Sequence, residues 1–339
     1  LVTDELLKLH IHTDTPEEVF DLAATWGTVA TTKSDDMREQ HEDAHHPVHQ
    51  RVSIVMDSSC DLPDRVLDAH GMVVVPLQII AGDRTYLDRI NIRGADLYSR
   101  MRETGEIFTT SQPTPAAFVR GFEDAQSNSD QVLGIFIAGA LSGTLGSAQA
   151  AARTLGPKNG ITILDSRTLS LGLGMLALRA VELAEAGWSV EDILSELERV
   201  RDRSGVFFTV DRFDNLLRSG RVSRGRAWLG GLLDIKPILE VDPTGRVVPL
   251  DRVRGREALI PRVLEHLDAR LSPRPSSLRL AVAHAGTPEL AKELQAELVR
   301  RYQPRDCLIS DVTAAIGVHV GPDAWGVFYQ IEDPTPLET

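Results

Sequence analysis

The feature that most constrains the fold is a short apolar run that ends in a polar turn. Residues 52–56 (VSIVM) predict a buried strand, which stops at the Asp57-Ser58-Ser59 turn. Asp61 and Pro63 then predict the N-cap and a first-turn proline of a helix. A strand that leads into hydroxyls and a helix N-terminus is typical of the carboxyl edge of a parallel sheet, where small anions bind. The stretch therefore predicts an α/β fold with a candidate anion site at this turn.

Two further hydroxyl-rich turns follow downstream, TTSQPTP at 109–115 and LSGTLGS at 141–147. In the first turn, prolines 113 and 115 disfavour helix at the residues before them, so its hydroxyls are expected in an extended, rigid loop. Thr114 alone can cap the following helix. The remaining hydroxyls, on Thr109, Thr110 and Ser111, are left for a ligand, and capping and ligand binding are equally supported at this point.

The second turn, Ser142-Gly143-Thr144, follows the apolar strand predicted at 131–138. Gly143 lets a ligand approach the backbone, and free N–H groups at a helix N-terminus favour a carboxylate or phosphate. The turn is not a P-loop, because no Gly-Lys-Ser/Thr follows. It is not a nucleophile elbow either, because Ala140 and Thr144 occupy the glycine positions, so serine hydrolysis is weakly supported.

The order of predicted elements indicates an α/β protein with two domains, 51–204 and 205–332. In the first, strands alternate with helices, which favours a mostly parallel sheet with helices on both faces. Its strands are predicted at 52–56, 72–80, 131–138 and 161–164, and its helices at 64–70, 94–104, 115–126, 143–155, 172–186 and 189–203. In the second, strands follow one another more closely, which favours antiparallel pairing. These strands are predicted at 205–210, 236–241, 246–253, 278–284, 307–312 and 325–331, and the helices at 212–219, 256–271 and 288–301.

The first fifty residues are expected to be separate from these domains. Residues 1–37 predict strand, helix and strand, too little to bury a core alone. Residues 38–50 are polar and aperiodic and predict a linker. The net charge of −13 argues against a nucleic-acid partner and against static adsorption to an anionic membrane, although not against transient contact. Two distant cysteines and the lack of a signal peptide or long apolar run predict a cytoplasmic protein.

Clustered arginines provide the candidate phosphate contacts. The segment 216–228 carries Arg218, Arg221, Arg224 and Arg226 around two glycines. Any one of these arginines can simply cap a helix end, but four together in an acidic protein make a local positive region suited to phosphate. A second such turn, at 251–259, carries Arg252, Arg254 and Arg256.

Histidines give a weaker signal. His10 and His12 share a strand face and could chelate a metal with Asp14, but such a pair is more often structural, and we predict no metal site. His284 ends a predicted strand, and His319 lies in the glycine-flanked segment GVHVGPDAWG. Both are expected at a strand end or glycine turn where a ligand could be met, although most lone histidines are only hydrogen-bonded.

Seven motifs follow one another within residues 52–331: V-DSS-DLP, TTSQPTP, LSGTLGSAQAA, ILDSRTLSLGLG, LLRSGRVSRGRAWLGGLLDIKPIL, VRGREAL and VHVGPDAWG. In this order they resemble the DegV family, the bacterial fatty-acid-binding subunits of fatty acid kinase. The resemblance implies two α/β domains with a lipid tunnel that encloses one long-chain fatty acid. It also implies that a kinase partner phosphorylates the carboxylate to an acyl phosphate, a step in phospholipid metabolism.

The resemblance also implies roles for individual residues. The carboxylate-binding set would comprise a hydroxyl of 109–111, Ser142 beside Gly143, and His319, and we favour Thr110 and Ser111 within the first turn. Arg221 and Arg254 would engage the partner and assist phosphotransfer. The departure is Asp323-Ala324, where the family pattern has a second glycine, and a carboxylate there would either shift the pKa of His319 or point to solvent.

Residues 1–37 have a resemblance of their own, to the C-terminal end of the dihydroxyacetone-kinase-like protein that partners DegV proteins. This implies a kinase–carrier fusion of which the chain is the carrier end, with ATP and Mg²⁺ bound by the kinase and no cofactor bound by this chain. The alternatives are a stand-alone enzyme, either a serine esterase or a small-molecule kinase, and a lipid-sensing regulatory module. Arg221 and Arg254 favour presentation over sensing, because a sensor needs no arginines that face phosphate.

Overall fold

The computed structural model describes residues 2–3, 6–7, 50–222 and 235–332. The chain divides into two compact units, Leu1–Val48 and His49–Thr339. In the first unit, β1 (Val2–Thr3) and β2 (Leu6–Leu7) pair antiparallel. The rest of the strand–helix–strand predicted for 1–37, together with most of the predicted linker, lies outside the described residues.

The second unit begins with a parallel sheet, as predicted. Its strand order is β4-β3-β8-β9, and every pair in it is parallel. The strands are β3 (Gln50–Asp57), β4 (Val73–Val75), β8 (Ser129–Phe136) and β9 (Ile161–Asp165). The helices of this half are α1 (Asp64–Ala69), α2 (Gly94–Glu103), α3 (Pro115–Ser127), α4 (Thr144–Leu155), α5 (Leu171–Glu185) and α6 (Val190–Arg201).

A small antiparallel sheet, absent from the prediction, is inserted after β4. Its strands, in the order β6-β5-β7, are β5 (Gln78–Ala81), β6 (Arg84–Leu87) and β7 (Thr109–Ser111). The single strand predicted at 72–80 is therefore two strands, because the chain leaves the parallel sheet at Pro76 and Leu77. The backbone N–H of Leu77 donates to Ser58 Oγ at 3.0 Å instead of to a strand. The insertion turns the TTS segment into a strand that faces the second half of the unit.

The second half holds a six-stranded sheet in the order β12-β11-β10-β15-β13-β14. All neighbours pair antiparallel except β13 and β14, which confirms the predicted antiparallel pairing. The strands are β10 (Gly205–Thr209), β11 (Ile235–Val241), β12 (Val247–Arg254), β13 (Leu278–His284), β14 (Asp306–Asp311) and β15 (Trp325–Ile331). The helices are α7 (Asp214–Ser219), α8 (Leu259–Arg270), α9 (Pro288–Tyr302) and α10 (Ala314–Val320).

Helix α5 joins the two halves of this unit. It is apolar around most of its circumference and almost wholly buried, since it packs against β3 of the parallel sheet and against β13 and β15 of the mixed sheet. Buried Arg279 adds an ionic link, because its Nη2 donates to Glu182 of α5 at 2.6 Å and its Nε to Glu332 at 2.9 Å. Across the described residues, no helix is long and apolar enough to cross a membrane.

Candidate functional site

The Asp57-Ser58-Ser59 turn is a buried junction rather than an anion site. Asp57 Oδ1 accepts from the N–H of Ser59 at 3.1 Å, and Oδ2 accepts from the N–H of Ile137 at 2.8 Å. Ser58 Oγ donates to the Asp88 carboxylate at 2.6 Å. The hydroxyls of Ser58 and Ser59 thus donate to the carboxylates of Asp88 and Asp57, which would repel an anion. The anion site predicted at this turn is therefore wrong.

Asp61 was expected to cap α1, and that prediction is also wrong. It has a positive φ of 51°, and its carboxylate turns away toward α10. Asp61 Oδ1 accepts from the N–H of Thr313 at 2.9 Å, and Oδ2 accepts from the hydroxyl of Ser170. Asp88 lies near the backbone N–H of Ala315 in the same helix, although its Oδ1 has no hydrogen-bond partner within the described residues. Burial raises the pKa of Asp61 to about 7 and that of Asp88 to about 6. Asp61 thus holds the N-terminus of α10, and the buried Asp88 carboxylate lies near it.

Helix α10 carries His319 in its last turn, so the prediction of a glycine turn at this residue is wrong. The helix brings the imidazole to β7, where His319 Nε2 lies 2.9 Å from Thr110 Oγ1. His319 Nδ1 is buried and has no hydrogen-bond partner within the described ranges. Burial, followed by the positive charge of Arg221, lowers the pKa of His319 to about 4. The imidazole is therefore neutral at pH 7.

The strand register separates the three hydroxyls of the first turn. Thr109, Thr110 and Ser111 lie opposite Ile80, Ile79 and Gln78 of β5. Because successive side chains of a strand alternate between faces, Thr110 lies on one face and Thr109 and Ser111 on the other. Thr110 is the hydroxyl that meets His319, while a ligand role for Ser111 stays a prediction. Thr114 caps α3, as predicted, by accepting from the N–H of Ala117 at 3.2 Å.

Gln112 connects the two hydroxyl-rich turns, and the sequence pattern gave no sign of it. Its Nε2 donates to Ser147 Oγ of α4 at 3.0 Å. The side chain crosses Gly143 so closely that a Cβ on Gly143 would lie 1.9 Å from Gln112 Oε1. A larger residue at position 143 would therefore displace the end of the Gln112 side chain. Ser142 Oγ accepts from the N–H of Thr144 at 3.2 Å.

A polar pocket of about 240 Å³ lies where the second turn meets the arginine segment. It is lined by Ala140, Leu141, Ser219, Gly220, Arg221 and Arg246. Arg221 therefore lies beside Ala140 and Leu141, the residues that precede Ser142. Arg246 was not predicted. It follows a tight turn in which Asp242 Oδ1 accepts from the N–H groups of Thr244 and Arg246.

Arg254 is not part of this pocket. It is the last residue of β12 and is exposed, opposite Ile235 of β11. Val222, next to Arg221, bridges to Val247 at the start of β12. The strand from Val247 to Arg254 is about 23 Å long, so Arg221 and Arg254 lie near opposite ends of that strand. Their roles in partner engagement stay predictions, and Arg224 and Arg226 lie outside the described residues.

Asp323, which stands where the motif pattern expects a glycine, forms an ion pair with an arginine. Asp323 has a positive φ of 65°, and its Oδ1 forms an ion pair with Arg102 Nη2 at 2.7 Å. The carboxylate is thus directed to α2. His10, His12 and Asp14 lie outside the described residues. Within the described residues, no group of three or more His, Cys, Asp or Glu side chains is placed to hold a metal.

The parallel sheet, the small antiparallel sheet and the six-stranded sheet define an α/β protein, and the half-buried Thr110–His319 contact lies between its halves. The chain belongs to the DegV family, because residues 51–332 match the profile described as an uncharacterised protein of the DegV family. Residues 1–44 match a second profile, the middle domain of FakA-like proteins of fatty acid kinase. This supports the predicted fusion, although the profile describes a middle domain and the sequence resemblance indicated the end of that kinase protein.

Relatives and solved structures agree with this family. A DegV domain-containing protein of Deinococcus radiodurans is 38% identical over 276 residues, which cover 81% of this chain and 97% of the relative. A fatty-acid-binding DegV family protein of Thermus thermophilus superposes with a TM-score of 0.78 at 34% identity, covering 83% of this chain and 99% of that one. DegV of Bacillus subtilis, a fatty acid binding protein, gives a TM-score of 0.75 at 33% identity, with coverage of 83% and 99%.

Proposed function

We propose that this chain binds a long-chain fatty acid and presents its carboxylate to a fatty acid kinase for phosphorylation to acyl phosphate. The observation that carries the proposal is the contact between Thr110 Oγ1 and neutral His319 Nε2, with His319 Nδ1 left unpartnered in the described part of the chain. A hydroxyl and a neutral imidazole supply two donor hydrogens, and their mutual bond uses one. The other hydrogen is available to a carboxylate oxygen.

Neutral donors suit a carboxylate that must later react. An ion pair with a buried cation would stabilise the anion strongly, whereas a neutral hydrogen bond contributes about 0.5–1.5 kcal/mol. The acyl chain supplies the larger part of the affinity, at about 0.8 kcal/mol for each buried CH₂. The polar cluster then fixes the position of the head group and leaves its oxygen nucleophilic.

The first residues of the chain support a kinase as the partner. Residues 1–44 match part of a fatty acid kinase, and a kinase on the same chain would raise the effective concentration of the encounter. ATP and Mg²⁺ would bind to the kinase. A stand-alone serine esterase is disfavoured, since Ser142 Oγ contacts Thr144 Oγ1 at 2.8 Å and the Nε2 of His319 is engaged by Thr110.

Reconstitution tests the proposal. The lipid-loaded chain is incubated with a complete fatty acid kinase, ATP and Mg²⁺, and acyl phosphate is trapped as the hydroxamate. We expect product with the kinase and none with the chain alone. ATP turnover by the chain alone would support the stand-alone enzyme. Lipid retention without product, in the presence of a kinase that phosphorylates another DegV protein, would support the sensor.

A further inference from the structure

The pocket beside the second hydroxyl-rich turn contains two arginines, one of which lies outside the arginine clusters of the sequence. We propose that Arg221 and Arg246 form a phosphoryl-binding subsite, which holds the dianionic group of the acyl phosphate after transfer. The identity of the ligand rests on the proposed function, whereas an anion site at this pocket does not.

The backbone places the two arginines next to each other. Val222 and Val247 form a parallel bridge, so the residues before them, Arg221 and Arg246, are neighbours on adjacent segments. Segments paired in this way lie about 5 Å apart. Both side chains line the same pocket of about 240 Å³, so their guanidinium groups can converge on one ligand.

Among the residues that the structure describes, the walls of the pocket carry no carboxylate. Arg221 Nη1 donates to the carbonyl of Ser219, and among the described residues neither arginine forms an ion pair. Against the effect of burial, the pKa of Asp242 is lowered by hydrogen bonds from the Thr244 hydroxyl and from the N–H groups of Arg246 and Thr244, and by the charge of Arg246. Asp242 therefore offsets part of the charge of Arg246, and no acid is described beside Arg221 on the pocket wall. Like charges side by side are destabilising, and an anion between them removes the repulsion.

The position of the pocket fits a phosphorylated head group. Ala140 and Leu141 on its wall lead directly into Ser142. Burial is the main reason that the pKa of His319 is lowered, and the charge of Arg221 adds to the effect, so a carboxylate held by Thr110 and His319 would lie within electrostatic reach of Arg221.

The chemistry of the step requires such a site only after transfer begins. A carboxylate oxygen attacks the γ-phosphorus of ATP, the new O–P bond forms, the bond to the β,γ-bridging oxygen breaks, and ADP leaves with that electron pair. The product carries additional negative charge next to the neutral Thr110–His319 pair. Arginines bind phosphoryl oxygens in bidentate geometry, so the subsite would bind product in preference to substrate.

The test compares Arg221→Gln and Arg246→Gln with Arg120→Gln, a matched control in an exposed arginine of α3. In one arm, inorganic phosphate is titrated into the lipid-loaded chain and followed by ³¹P NMR. In the other, hexadecylphosphonate, a stable mimic of the product head group, competes with palmitate for the lipid-free chain. We expect each pocket variant to weaken phosphate binding and to reduce the phosphonate-to-palmitate preference at least tenfold, while the control matches the parent.

The outcomes separate this inference from the proposed function. If Arg246→Gln matches the parent in both arms, the subsite is wrong even though palmitate still binds. If the pocket variants lose only the preference for the phosphonate, the pocket binds the phosphorylated lipid head group, as proposed. If they lose only the binding of inorganic phosphate, the pocket binds a free anion, and its role in product binding is overturned. If the parent binds neither palmitate nor the phosphonate, the proposed function fails, and the phosphate arm still decides whether the pocket binds anions.

Discussion

The replacement of Asp61 by Asn should change how the stability of the protein depends on pH. Burial raises the pKa of Asp61 from 3.8 to about 7, so between these values the folded state binds a proton that the unfolded state has released. The contribution of Asp61 is therefore largest at low pH and is lost as pH rises toward 7. One bound proton corresponds to about 1.4 kcal/mol per pH unit, which gives about 3 kcal/mol between pH 5 and pH 7.

Asparagine is the appropriate replacement because it preserves both contacts. Its carbonyl oxygen can accept from the N–H of Thr313, and its amide can donate to Ser170 Oγ. Urea denaturation of both proteins at pH 5, 6, 7 and 8 measures the difference in unfolding free energy. The unfolding free energy of Asp61→Asn minus that of the parent should increase by about 3 kcal/mol from pH 5 to pH 7 and change little above pH 7.

Groups that do not interact with Asp61 cancel in this comparison, whereas Asp88 is coupled to Asp61 because its charge helps to raise the pKa of Asp61. Asp88 has the same sign as Asp61 because its pKa is raised, whereas the lowered pKa of His319 makes stability fall as pH drops from about 6.5 to about 4. Both groups are present in the parent and in the variant. Parallel stability curves for the two proteins would refute the argument, since they would mean that Asp61 titrates alike in the folded and unfolded states.

Three further predictions concern the site and the core. Thr110→Val should weaken fatty acid binding by about 1–3 kcal/mol in a fluorescence titration and leave thermal stability unchanged, because it leaves His319 without its partner. If the variant binds fatty acid as tightly as the parent, Thr110 is not part of the binding site. Arg279→Leu should lower the unfolding free energy by about 3–5 kcal/mol, because Glu182 and Glu332 lose a buried partner. Arg300→Gln removes an exposed ion pair and should lower it by at most about 1 kcal/mol, and equal losses for the two variants would contradict the argument. Arg254→Gln should leave lipid content unchanged and reduce hydroxamate yield in the kinase assay, and an empty variant would assign this arginine to lipid binding.

The sequence predicted those parts of the fold in which local pattern and tertiary context agree. The apolar strands of the parallel sheet and the capped helices, such as the one that Thr114 begins, show clear periodicity and clear ends. Helix α10 was missed because its sequence, AAIGVHV, is short and contains three β-branched residues and a glycine. Its N-terminus is held by Asp61, more than two hundred residues away, and no local window contains that information.

The candidate site shows the same limit. Thr110 and His319 were each predicted, but only the fold shows that Thr110, and not Ser111, faces the imidazole. Arg246 was missed because it is a single arginine after a turn, with no cluster around it in the sequence. Its significance arises from the bridge between Val222 and Val247, which is a property of the tertiary structure.

The occupancy of the purified chain by fatty acid tests the central claim most directly. Native mass spectrometry measures the intact mass before and after denaturation, and organic extraction identifies the released molecule. The account predicts one long-chain fatty acid per chain and, for stripped protein, a rise in melting temperature when palmitate or oleate is added. A mass that denaturation leaves unchanged, together with no thermal shift from either fatty acid, would contradict it.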